Sequence, residues 1–131
     1  ERRRVRRADV EAIHTRKTGA LMGACLALGA IAGGADRRTV SVLDDAGRLV
    51  GFAFQIHDDL LNAGSTLRRL GKRAGTDASR GKATYPRVAG AAAARRRADL
   101  LLDSARGIIR LHCPRPTRLL SLVEAVAVRE R

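Results

Sequence analysis

Aromatic side chains are almost missing from this chain. Trp is absent, and Phe52, Phe54 and Tyr85 are the only rings among 131 residues. Any core must therefore be assembled from Ala, Leu, Val and Ile, a palette that favours helices over sheets. Strand-period alternation of any length is missing too, as is any internal repeat. Cysteine is limited to Cys25 and Cys113, far apart and without Cys-x-x-Cys spacing, so a disulfide framework or zinc site is unsupported and a reducing, cytoplasmic setting fits best. No apolar run is long enough for a membrane span: Ala20 to Ala32 falls short of the ~20 residues needed to cross a bilayer and is rich in Gly and Ala. That run reads as a buried helix. A signal-peptide pattern is also missing, and the chain opens on Glu1, so a piece of something longer is expected.

What the chain has in excess is positive charge. Lys and Arg number 26 against 13 Asp and Glu, a net charge of +13, with clusters at Arg2 to Arg7, Arg68 to Arg73 and Arg95 to Arg97. An anionic partner follows, and nucleic acid, lipid or a phosphorylated substrate would each satisfy it. A basic nucleic-acid-binding module is disfavoured, because no aromatics are interleaved with the basic residues to stack bases.

Length and apolar content, 45% of residues, predict one domain over 1–131. A helical pattern runs from Asp9 through Val10, Ile13 and Leu21 into Ala20 to Ala32, with a break expected near Gly19 and a stop at Gly33 and Gly34. Thr39 is placed to cap a long helix carrying Val40, Leu43, Leu49, Val50, Phe54, Leu60 and Leu61 and ending near Ala63. Residues 64–82, with four glycines among Ser, Thr and Asp, have loop composition and are too long for an idle connector. Thr84 is a further N-cap candidate with Pro86 in the first turn, and Val88 to Leu111 reads as a helix with Leu100, Leu101, Ala105, Ile108 and Ile109 inward. Cys113 to Pro116 breaks it, and Arg118 to Arg129 makes a last helix. The fold class is all-α, with about four to six helices.

Chemistry concentrates between Phe52 and Asn62, where Gln55, Asp58 and Asn62 share one helix face inside an apolar segment. Adjacent residues project about 100° apart, so Asp59 lies nearer the edge of that face. Paired carboxylates supply the hard oxygens that magnesium prefers, usually completed by waters and substrate phosphates. Lys72, Arg73 and Lys82 in the following Gly-rich stretch would neutralise phosphate oxygens, and its glycines would let backbone N–H groups approach an anion. Earlier, His14, Lys17 and Thr18 share a face just before the apolar helix and offer another cation and a hydroxyl. His14 and His57 read as polar helix residues without a ligand role, since neither has a second His at metal-ligand spacing.

Four segments in order resemble the C-terminal part of trans-polyprenyl diphosphate synthases of the bacterial farnesyl and geranylgeranyl diphosphate synthase type. They are Ile13-His14 with Lys17-Thr18-Gly19; Gly51 to Leu61; Leu70-Gly71-Lys72-Arg73 with Gly75-Thr76-Asp77; and Gly81 to Pro86. The resemblance implies part of an isoprenoid-synthase-type helical bundle. It also implies condensation of an allylic diphosphate with isopentenyl diphosphate, magnesium as cofactor, and a homodimer or a synthase-like partner subunit. It further implies magnesium on Asp58, Asp59 and Asn62, catalytic roles for Lys17 and Asp58, and allylic diphosphate contacts from Lys17, Thr18, Gln55, Lys72 and Lys82. The family's Asp-rich motif here ends in Asn62, and a further acid four residues later is Thr66. An amide keeps a carbonyl oxygen but loses the charge, so weaker metal binding is expected. The family's N-terminal half, with its own Asp-rich motif, has no counterpart in these residues, so the chain alone is expected to be inactive. A catalytically inactive, synthase-like partner subunit is the alternative reading.

Overall fold

The computed structural model describes residues 6–70 and 84–128. They form helices α1 (Arg7–His14), α2 (Ala20–Ala32), α3 (Arg37–Leu70), α4 (Tyr85–Ala89), α5 (Ala91–His112) and α6 (Thr117–Val128), and no strand occurs among the described residues. The all-α expectation holds.

No break separates α1 from α2. A π-helical segment, Thr15–Gly19, joins them, and Gly19 keeps right-handed helical angles of φ −59 and ψ −48. Residues 7–32 are thus one helical rod, because a helical glycine costs only about 1 kcal/mol and does not end a helix by itself. The true stop is Gly34, whose φ of +75 suits a residue without a Cβ. There the Ala35 N–H donates to the Ala30 carbonyl at 2.9 Å and the Gly34 N–H to that of Ile31 at 3.0 Å, a Schellman closure.

α3 starts at Arg37, earlier than expected, because Asp36 and not Thr39 is its cap: the Thr39 N–H donates to Asp36 Oδ1 at 2.7 Å. It also continues to Leu70, so the expected loop does not begin at Gly64. Leu67 to Leu70 are good helix formers that outweigh one glycine. Residues 71–83, which hold Lys72, Arg73, Thr76, Asp77 and Lys82, lie outside the described residues.

α3 is the central helix, packed between α2 and α5. Leu43, Ala46, Val50, Ala53, Ile56 and Leu60 of α3 are buried, as are Ala94, Ala98, Leu101, Leu102, Ala105 and Ile109 of α5. The expected inward Leu100 is 61% exposed, and Leu102 takes the core position instead. Three consecutive leucines carry no phase information, and the alanines at positions 94, 98 and 105 select the face. The expected single helix from Val88 is divided at Gly90, whose φ is +86.

Two Gly-x-x-x-Gly pairs, Gly19/Gly23 and Gly47/Gly51, face each other where the rod crosses α3. A Cβ built on Gly51 would lie 2.6 Å from the Thr18 carbonyl oxygen and 2.8 Å from Gly19 Cα; one on Gly47 would lie 2.7 Å from Gly23 Cα. Backbone touches backbone along this seam, so the two antiparallel helices are held in one register. On the far side of α2, Leu21, Leu28 and Ile31 are more than half exposed. The run expected to be a buried helix is therefore enclosed only on the side that meets α3, at Gly23 and Ala30, and leaves an apolar face outward.

Candidate functional site

The glycine seam sets the site's geometry. Thr18 and Gly19 abut Gly51, and His14, one turn earlier, reaches Asp59 with its Nε2 3.4 Å from Asp59 Oδ2. Lys17 and Thr18 therefore lie level with α3 between Gly51 and Asp59, the stretch that holds Gln55 and Asp58. Lys17 is exposed and Thr18 and Gln55 are half-buried. The structure thus gathers all six of the expected site residues that it describes onto two neighbouring helical segments: Lys17, Thr18, Gln55, Asp58 and Asn62, with Asp59 turned inward beside them. The π-helical turn Thr15–Gly19 carries Lys17 and Thr18, and such irregular turns are frequent at functional sites. Lys72 and Lys82 lie outside the described residues.

The adjacent acids face different environments. Asp58 is exposed, and Asn62 Nδ2 donates to its Oδ2 at 3.2 Å. The Asp59 side chain is only 16% exposed; its Oδ2 accepts the Tyr85 backbone N–H at 2.9 Å and lies beside His14. Burial pushes the Asp59 carboxyl above its ordinary range and Asp58 adds to the rise, while the Tyr85 N–H and His14 oppose it. Burial pushes His14 down, assisted by Lys17 and opposed by Asp59. Both members of this buried pair are thus shifted towards their neutral forms by desolvation.

Among the described residues no group of three His, Cys, Asp or Glu gathers in the manner of an all-protein metal cage. Magnesium does not require one, because it keeps waters and is commonly held by one or two carboxylates plus phosphates. The exposed carboxylate of Asp58 fits that role. Asp59 fits it less well, since its Oδ2 already serves Tyr85.

Tyr85 is the residue whose importance the sequence did not reveal. Its side chain is almost fully buried, its ring stands edge-on to Phe52 at 5.9 Å, and Phe52 in turn stands edge-on to His14 at 5.9 Å. The Tyr85 hydroxyl donates to Glu11 Oε1 at 3.1 Å, and Arg7 both pairs with Glu11 at 2.9 Å and lies over the tyrosine ring at 5.4 Å. Of these contacts only the Arg7–Glu11 pair has a local signal, the spacing of four that suits a helical ion pair. Two of the three aromatic residues in the chain thus fasten the helices immediately behind Asp58.

The sequence pattern described as polyprenyl synthetase matches residues 2–107, a span that contains both helical segments of the site. The chain belongs to the polyprenyl synthetase family. It is 46% identical over 98 residues to the farnesyl diphosphate synthase of Escherichia coli (strain K12), covering 74% of this chain and 33% of that protein. Against the farnesyl diphosphate synthase of Bacillus subtilis (strain 168) it is 32% identical over 130 residues, covering 99% and 44% respectively. Its fold superposes on the crystal structure of a candidate farnesyl-diphosphate synthase from Marinomonas sp. MED121 with a TM-score of 0.75 at 26% identity, covering 95% of this chain and 41% of that one. The chain therefore spans less than half the length of each of these relatives. Every element among the described residues of this polyprenyl synthetase segment is helical, and no helix among them is long and apolar enough to cross a membrane.

Proposed function

We propose that this chain is the C-terminal, diphosphate-binding part of a short-chain prenyl diphosphate synthase of the farnesyl diphosphate synthase type. It would hold magnesium and an allylic diphosphate for condensation with isopentenyl diphosphate. The observation that carries this reading is the outward Asp58 carboxylate, on the family-matched stretch of α3, level with Lys17 and Thr18. Asp58 would ligate the metal. Lys17, Thr18 and Gln55 would orient the diphosphate, joined by Lys72 and Lys82 from beyond the described residues. Magnesium, when bound, would supply positive charge against the leaving diphosphate. Lys17, placed nearby, would act on the same charge, which grows only as the carbon–oxygen bond breaks. The remaining part of the synthase would come from a longer chain or from a partner subunit, and two free cysteines, Cys25 and Cys113, suit work in the cytoplasm.

Magnesium and inorganic pyrophosphate together should raise the melting temperature, with neither sufficient alone. At pyrophosphate a hundredfold above its Kd the linkage gives about 2.7 kcal/mol, or several degrees. An unchanged melting temperature with the combination would remove the reading.

Asn62 bears on the same site. Its amide N–H occupies Asp58 Oδ2, so Asn62→Asp removes a competing donor and adds a charge. Magnesium-dependent pyrophosphate affinity should rise by about tenfold, the equivalent of one modest charge interaction near a protein surface. Calorimetric titration of the two proteins side by side measures it, and an equal or weaker affinity would show that Asn62 lies outside the metal's reach. Asn62 also favours a second reading, a synthase-like subunit that has lost part of its metal affinity and supports an active partner.

A further inference from the structure

We propose that the corner between α5 and α6 docks this chain onto an anionic lipid surface. The inference is independent of the proposed reaction. Arg106, Arg110, Arg115 and Arg118 fall between Asp103 and Glu124, and no Asp or Glu lies among them. Arg106 is compensated: it pairs with Asp103 at 2.7 Å and with Glu124 at 2.8 Å, which fastens α6 to α5 and leaves its side chain 17% exposed. Arg110, Arg115 and Arg118 are exposed and form no ion pair among the described residues. Residues 110–118 thus hold a net charge of +3 at a single turn of the chain.

Within this charge Leu111 is 79% exposed, the most exposed large apolar side chain among the described residues. Ile109 before it is buried, and Leu119 and Leu120 after it pack against the core. The corner is also firmly held. The Cys113 N–H donates to the Ile109 carbonyl at 2.9 Å and the Leu120 N–H to that of Pro116 at 2.8 Å. Arg115 stands between Pro114 and Pro116, whose rings fix their φ angles, so little backbone freedom is lost on docking. Charge and apolarity together select the partner. Arginines are drawn to an anionic bilayer, and a protruding leucine adds apolar area buried at the headgroup boundary. A nucleic acid would use the arginines but not the leucine, and the corner has no aromatic ring on which to stack a base. The exposed face of α2 differs, because no charged residue lies between Ala20 and Ala35 to draw it to such a surface.

The chain has no Trp, so a single introduced one reports its own surroundings. With phosphatidylcholine vesicles containing about one-third phosphatidylglycerol, the emission of Leu111→Trp should move to the blue and be quenched by bromine-labelled acyl chains. Leu28→Trp, on the exposed face of α2, should show neither change. In sedimentation with the same vesicles, the triple variant Arg110→Gln, Arg115→Gln, Arg118→Gln should bind about a hundredfold more weakly, about fivefold for each arginine. Leu111→Ser should bind about tenfold more weakly. A charge-matched control, Arg37→Gln, Arg38→Gln, Arg96→Gln, removes three exposed arginines elsewhere and should lose no more than about threefold. All of these positions are exposed, so each variant should keep the fold. Equal losses for the two triple variants, an unquenched Leu111→Trp, or equal binding to pure phosphatidylcholine would overturn the assignment. If the corner variant loses affinity for single-stranded RNA while Leu111→Ser leaves vesicle binding unaltered, the partner is a nucleic acid and the lipid assignment falls.

Discussion

Gly51→Ala should destabilise the chain by about 2 kcal/mol, although alanine is the better helix former by about 1 kcal/mol. The added Cβ would sit 2.6 Å from the Thr18 carbonyl oxygen and within 3 Å of both Gly19 Cα and Gly19 N. These are backbone atoms, unable to swing aside as a side-chain end would, so the two helices must separate and loosen their contacts along the seam. Gly47→Ala meets Gly23 Cα at 2.7 Å in the same way and should cost a similar amount. Gly29 and Gly107 provide the contrast, since a Cβ there meets nothing within 4 Å. Alanine at either should stabilise by roughly 0.5–1 kcal/mol. Urea midpoints for the four variants test this directly, and a Gly51→Ala protein as stable as Gly29→Ala would show that the seam is not close-packed. Because the same seam sets Lys17 and Thr18 level with Gln55 and Asp58, Gly51→Ala should also weaken magnesium-pyrophosphate binding.

Tyr85→Ala should cost about 3–5 kcal/mol, the range for deleting a large buried ring. Tyr85 is 1% exposed and fills the space among Phe52, Arg7 and Glu11. A domain of this size has a total stability of only about 5–15 kcal/mol, so a large share of it would be lost. Tyr85→Phe keeps the ring and removes only the hydroxyl donated to Glu11, at a cost of about 1 kcal/mol. Denaturant titration of the pair tests the ordering. If Ala and Phe proved equally mild, the ring would not be the keystone behind the acidic pair. The neighbouring contacts also predict where the damage is felt: α4 and the end of α1 lose their common anchor, while α5 keeps its own packing against α3 through Ala98, Leu102 and Ile109.

The glycine seam is legible in the sequence. Gly19, Gly23, Gly47 and Gly51 recur at a spacing of four in two adjacent helical patterns, a sign that backbones approach, yet Gly19 taken alone suggested a break. A single glycine gives an ambiguous signal, whereas two matched pairs do not. Leu100 shows the opposite case. Within Leu100 to Leu102 any one residue could face inward by apolarity, and burial against α3 alone chose Leu101 and Leu102.

What this sequence determines by itself is the helical class, the presence of α2, α3, α5 and α6, the breaks after Ala32 and around Cys113 to Pro116, and the polar face of Gln55, Asp58 and Asn62. All of these are local: they follow from propensity, period and turn chemistry over a few residues. The tertiary structure decided which of the two adjacent acids faces out, which ring lies beneath them, and how Lys17 and Thr18 come level with Asp58. Those choices depend on contacts between residues far apart in the chain, Asp59 with Tyr85 and Glu11 with Tyr85 above all. Burial energy summed over three helices sets them, and no window of one helix contains that sum.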